Sequence, residues 1–89
     1  MSRVMRTTIL TILEGDEVFY EQLRSHGLLP ADEETLTADH LEVARVTHSL
    51  IRELDLNWPG VEVVLRMRGE LIDMRKQVAE LLSQLQARR

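Results

Sequence analysis

Val64, Met67, Leu71, Met74, Val78, Leu81 and Leu85 are spaced alternately three and four residues apart. That alternation is the a/d seam of a coiled coil, carried over about three heptads, and it requires the C-terminal third of the chain to be one long helix. The helix has a marked start in Leu56-Asn57-Trp58-Pro59-Gly60. Asn57 is a good N-cap, and Pro59 falls in the first turn, where its missing N–H leaves no bond unmade. From Val61 to Gln86 there is no further Pro, and Gly69 is the only Gly. Val61, Leu65 and Ile72 widen the apolar stripe in the first half, as expected of a helix that also leans on a globular body. Beyond Arg75 the stripe narrows toward the seam, still flanked by Leu82. The second half therefore reads as a surface for something outside its own domain.

The chain has 89 residues. With the long helix assigned to 57–89, residues 1–56 remain to build a small helical body, and the two form a single domain. A body of that size buries a modest fraction of its surface. Burying the seam on a second copy adds roughly 1.5–3 kcal/mol per fully buried large apolar side chain before entropy is counted. A homodimer through Met67, Leu71, Met74, Val78, Leu81 and Leu85 is the expectation. There is no Cys, which excludes disulfides, thiolate metal sites and thiol catalysis. Met1 is followed by no apolar run suited to a signal peptide or a membrane span, so the expected location is cytoplasmic.

Charge is uneven along the chain. The net value is −4. Residues 1–40 carry Arg3, Arg6 and Arg24 against eight carboxylates (Glu14, Asp16, Glu17, Glu21, Asp32, Glu33, Glu34 and Asp39), while the remainder is close to neutral. Acidic surface repels phosphate backbones, and duplex binding relies on Lys and Arg to neutralise phosphates.

After the basic leader 1–6, Thr7–Leu13 has β-branched residues that suit a strand. Yet Ile9, Leu10, Ile12 and Leu13 fit one face of a two-turn helix with Gly15 as its stop. A short helix is the expectation. Asp16 is placed to cap a second helix, with Glu17 in its first turn and Val18, Phe19, Leu23 and Tyr20 on its buried side. Gly27 stands where a left-handed C-terminal residue belongs, so that helix ends near His26. Ala31–Thr35 is a polar connector. Thr37 then caps a third helix, whose apolar face is Leu41, Ala44, Val46, Leu50, Ile51 and Leu54.

This order of elements resembles the MerR-like helix-turn-helix superfamily. The likeness rests on a short helix pair ending in Gly27-Leu28-Leu29-Pro30, an interrupted connector, the Leu36-Thr37-Ala38-Asp39-His40-Leu41 entry and a corner into a long dimerisation helix. The Leu54-Asp55-Leu56-Asn57-Trp58-Pro59-Gly60-Val61 run resembles, more narrowly, the chaperone-modulator (CbpM-type) branch. The resemblance implies an all-α protein that binds the J-domain of a DnaJ-type co-chaperone and restrains its work with Hsp70. It also implies antiparallel pairing of the long helices. Two departures from DNA-binding members favour that branch. Glu21 stands where a phosphate-contacting Arg is usual, and the connector is short and acidic at Asp32, Glu33 and Glu34 where an Arg-rich wing is usual.

J-domains present a basic helix, so the implied binding face is Asp16, Glu17, Glu21, Asp32, Glu33 and Glu34, with Phe19, Tyr20 or Leu28 as apolar anchors. Simple solvation is the plainer account of Asp32–Glu34. The alternative function is a MerR-type DNA-binding regulator using Arg3, Arg6 and Arg24; a third is a passive dimerisation module. Enzymatic function finds no footing. His26, His40 and His48 lack metal-ligand spacing, the serines lie in no nucleophile motif, and no Gly-rich loop cradles a phosphate, so no cofactor or metal is expected.

Overall fold

A computed structural model describes residues 2–88. The described residues form four α-helices and no strand: α1 (Arg6–Ile12), α2 (Glu17–Ser25), α3 (Ala38–Arg52) and α4 (Trp58–Ala87), with a 3-10 turn at Glu33–Thr35. The protein is all-α. It divides into two compact units, Met1–Leu56 and Asn57–Arg89. Among the described residues, no helix is long and apolar enough to cross a membrane.

In the first unit the leader is held in place by its backbone. Val4 N–H donates to the Leu36 carbonyl (3.0 Å) and Ala38 N–H to the Ser2 carbonyl (2.9 Å), which aligns residues 2–4 against 36–38. Thr7–Ile12 is helical rather than extended, because Ile9 and Leu13, four apart, both bury completely and α1 packs on α3. The stop includes the expected Gly15, which is left-handed (φ +79°), and the residue before it as well. Glu14 takes the left-handed conformation (φ 59°), with its N–H bonded to the Thr11 carbonyl and the Gly15 N–H to the Leu10 carbonyl. This is the paired pattern of a Schellman cap, and it sets Glu14 at the position glycine prefers.

α2 begins as its sequence dictates, with Asp16 Oδ1 accepting from Phe19 N–H at 2.9 Å. It ends in a second Schellman cap around Gly27 (φ +75°), where Leu28 N–H reaches the Leu23 carbonyl and Gly27 N–H the Arg24 carbonyl. Phe19, Tyr20 and Leu23 fill the core, but Val18 does not: it is 70% exposed. At 100° per residue, positions 19, 20 and 23 share one arc of the helix and position 18 falls opposite with 21, 22 and 25. The rest of this core comes from Leu29, Leu36, Ala44 and Thr47.

α3 is capped by Thr37, whose N–H donates to His40 Nδ1 at 3.0 Å, so this histidine is used in a reciprocal cap. The helix stops at Arg52, short of Leu54, which lies beyond its end and is 64% exposed instead of joining the apolar face. Asp55 turns the chain in the left-handed conformation (φ 54°), and Leu56 N–H returns to the Leu50 carbonyl.

The second unit is α4. Asn57 Oδ1 caps it by accepting from Gly60 N–H at 2.9 Å, with Pro59 in the first turn. Its 30 residues give a rod of about 45 Å.

Candidate protein-binding surface

The expected acidic residues separate into two places. Asp16 is structural: besides capping α2, its Oδ2 accepts from Arg52 Nη2 at 2.8 Å, and Arg52 lies over the Phe19 ring. The Phe19 N–H bond, and secondarily Arg52, hold its carboxyl below the usual range against partial burial. The other five meet on one surface. Arg6 joins them, reaching Glu17 (3.4 Å) and Glu33 (3.0 Å) while its guanidinium sits 4.9 Å from the centre of the Tyr20 ring. Asp32 Oδ1 caps the 3-10 turn through Glu34 N–H (2.9 Å), which fixes the spacing of Glu33 and Glu34. A cleft of about 540 Å³ runs between α2 and this turn, lined by Arg6, Tyr20, Glu21, Arg24, Asp32 and Glu33 among others.

Ion pairing is denser than the sequence suggests. Arg24 bonds both Glu21 oxygens at 2.9 Å, and Arg3 bonds Glu34 at 2.6 Å. Every arginine of residues 1–40 is thus engaged by carboxylates of the same surface. Five carboxylates against Arg3, Arg6 and Arg24 still leave an excess of negative charge, and the glutamates remain more than half exposed. Exposed pairs of this kind add little stability.

The expected aromatic anchors are not on the surface. Phe19 and Tyr20 are each 1% exposed, because they stand on the core arc of α2. Phe19 meets the His48 ring edge-on at 5.2 Å. The Tyr20 hydroxyl is buried with no hydrogen-bond partner among the described residues, and burial, then the Glu33 charge, raises its pKa above the usual 10.0. Leu28 is half-buried. Apolar groups presented beside the carboxylates are Val18, in a shallow depression with Glu17, Glu21, Gln22 and Ser25, and Met5, beside Glu33 and Glu34. Sequence reasoning missed Val18 by grouping it with its apolar neighbours; the helical wheel of α2 carries the signal.

No family model, curated protein or solved structure matches this chain. Among the described residues, no cluster of His, Cys, Asp and Glu is arranged to hold a metal ion. On α4 the six seam residues Met67, Leu71, Met74, Val78, Leu81 and Leu85 are each 51–60% exposed.

Proposed function

We propose that this chain is a cytoplasmic, non-enzymatic protein-binding module of the MerR-like, chaperone-modulator kind, which binds the J-domain of a DnaJ-type co-chaperone and restrains its work with Hsp70. The observation that carries the reading is the state of Arg3, Arg6 and Arg24: each is already paired with a carboxylate on a surface that stays net negative. Such a surface repels a phosphate backbone and suits a basic protein helix. Glu17, Glu21, Asp32, Glu33 and Glu34 steer the partner, Val18 supplies an apolar contact, and occupation of the basic J-domain helix excludes Hsp70. The chain works as a homodimer, with the α4 seams of two copies facing each other and no cofactor or metal involved.

The test is calorimetric titration of a purified DnaJ-type J-domain into the protein, beside a titration with duplex DNA. Saturable J-domain binding and no DNA binding are expected. DNA binding that falls steeply with salt, with no J-domain binding, would move the assignment to a MerR-type regulator.

A further inference from the structure

Arg6 occupies a cation site built from two elements and an aromatic face. Its guanidinium bonds Glu33 of the 3-10 turn at 3.0 Å, reaches Glu17 of α2 at 3.4 Å and lies 4.9 Å from the centre of the Tyr20 ring. Two carboxylates and the face of a tyrosine suit a guanidinium or ammonium group from any source. Tyr20 also lines the cleft, and the charges that bear on its hydroxyl are those of the cleft: Glu33, Arg6, Arg24 and Glu21. That hydroxyl is buried, on a residue 1% exposed, and has no hydrogen-bond partner among the described residues. An oxygen left unpaired in this way is costly, and beside carboxylates the donor that completes it is a cation.

Resting on the reading of the acidic surface proposed above, we infer that Arg6 is an internal competitor of the partner. A Lys or Arg side chain of the bound basic helix displaces it, takes its place between Glu33 and Glu17 over the Tyr20 ring, and donates to the Tyr20 hydroxyl.

The way each arginine of the surface is held selects Arg6 as the one that yields. Arg24 bonds both oxygens of Glu21 at 2.9 Å within one helix, a geometry that resists exchange. Arg3 meets Glu34 at 2.6 Å and lines a neighbouring depression rather than this cleft. Arg6 makes single, longer contacts to two carboxylates, and its side chain is one-third exposed. Exchanging one cation for another leaves the charge of the cleft unchanged, so charge alone does not drive the step. A partner whose cation reaches the hydroxyl gains a bond that Arg6 does not make, while a basic surface that cannot reach it does not offset the loss of Arg6. The exchange therefore adds selectivity to a surface that otherwise attracts any positive charge.

The test is calorimetric titration of a purified DnaJ-type J-domain, and separately of a synthetic Lys-rich helical peptide, into wild type, Arg6→Ala, Arg3→Ala and Tyr20→Phe. Circular dichroism verifies folding. Arg6 is the first residue of α1, where positive charge opposes the helix dipole, so its removal is expected to leave the helix intact. Arg6→Ala and Arg3→Ala remove the same charge from the same surface, so electrostatic steering alone strengthens binding equally in both. The expected result is a gain of roughly three- to tenfold for Arg6→Ala and of less than about twofold for Arg3→Ala. Tyr20→Phe is expected to lose roughly three- to tenfold in affinity while its melting temperature rises. Equal gains in the two arginine variants, or unchanged affinity in Tyr20→Phe, would overturn the inference and leave J-domain binding in place. Absence of J-domain binding in every variant would overturn the proposed function instead, and the peptide series then decides the cation site by the same comparison. No binding of either ligand would overturn both.

Discussion

Tyr20 and Asp16 illustrate how single side chains set the stability of the first unit. The Tyr20 hydroxyl is buried without a hydrogen-bond partner among the described residues, and an unsatisfied buried group costs about 1–3 kcal/mol. Tyr20→Phe is therefore expected to stabilise the protein by about 1 kcal/mol, a rise of about 4–8 °C in melting temperature for a domain of this size; an unchanged or lower value would mean that the hydroxyl finds a partner. Linkage gives a second signature. Because the folded-state pKa lies above the usual 10.0, the unfolded chain releases the Tyr20 proton first. Stability is then full below that value and falls as pH rises through the folded pKa, a loss that Tyr20→Phe removes. Asp16 behaves in the opposite way. Its folded pKa is lowered from 3.8, so its contribution is present above that value and is lost as pH falls through the folded pKa. Asp16→Ala is expected to lower the melting temperature at pH 7 by a few degrees, and the difference from wild type should shrink in acid. A difference that persists unchanged at low pH would contradict the assignment.

The helix ends show how much of the fold is legible in local sequence. The Asn57 and Asp16 caps, the αL residue Gly27 and the long helix α4 are all readable, because each depends on residues within one or two turns. The stop of α1 is legible in Gly15, which is left-handed as expected (φ +79°), but not in Glu14, a poor αL former that takes the same conformation just before it. The two Schellman caps give a matched test. Apart from Gly27 itself and its chain neighbours, no atom of the described residues lies within 4 Å of a Cβ built on Gly27, so Gly27→Ala isolates backbone conformation and should destabilise by about 1 kcal/mol; Glu14→Gly, at φ 59°, should stabilise by up to about 1 kcal/mol. Equal effects of the same sign in chemical denaturation would rule out this account of the caps. The acidic surface was legible as composition but not as geometry. Arg3 meets Glu34 and Arg6 meets Glu33 only because the leader's backbone pairs with residues 36–38, a long-range arrangement with no local sequence signature. Phe19 and Tyr20 were read as anchors because aromatic residues are common in interfaces; their place on the core arc of α2 overrides that preference.

For the whole molecule, the proposal combines a folded unit that carries the binding surface with a helix that pairs copies. Leu71→Asp sets a charge in the seam and is expected to turn the dimer into a monomer in sedimentation equilibrium, at least tenfold weaker in association, without loss of the first unit's fold. Persistence of the dimer would place the self-association elsewhere. The central claim concerns the acidic surface, and it is tested most directly by titrating a DnaJ-type J-domain into wild type and into a Glu21→Lys/Glu33→Lys variant at low and moderate salt, with circular dichroism to verify folding. The expected result is wild-type binding that weakens as salt rises, and a loss of roughly tenfold or more in affinity in the reversed variant, concentrated at low salt. J-domain binding of equal strength and equal salt dependence in both proteins, or none in either, would contradict the account.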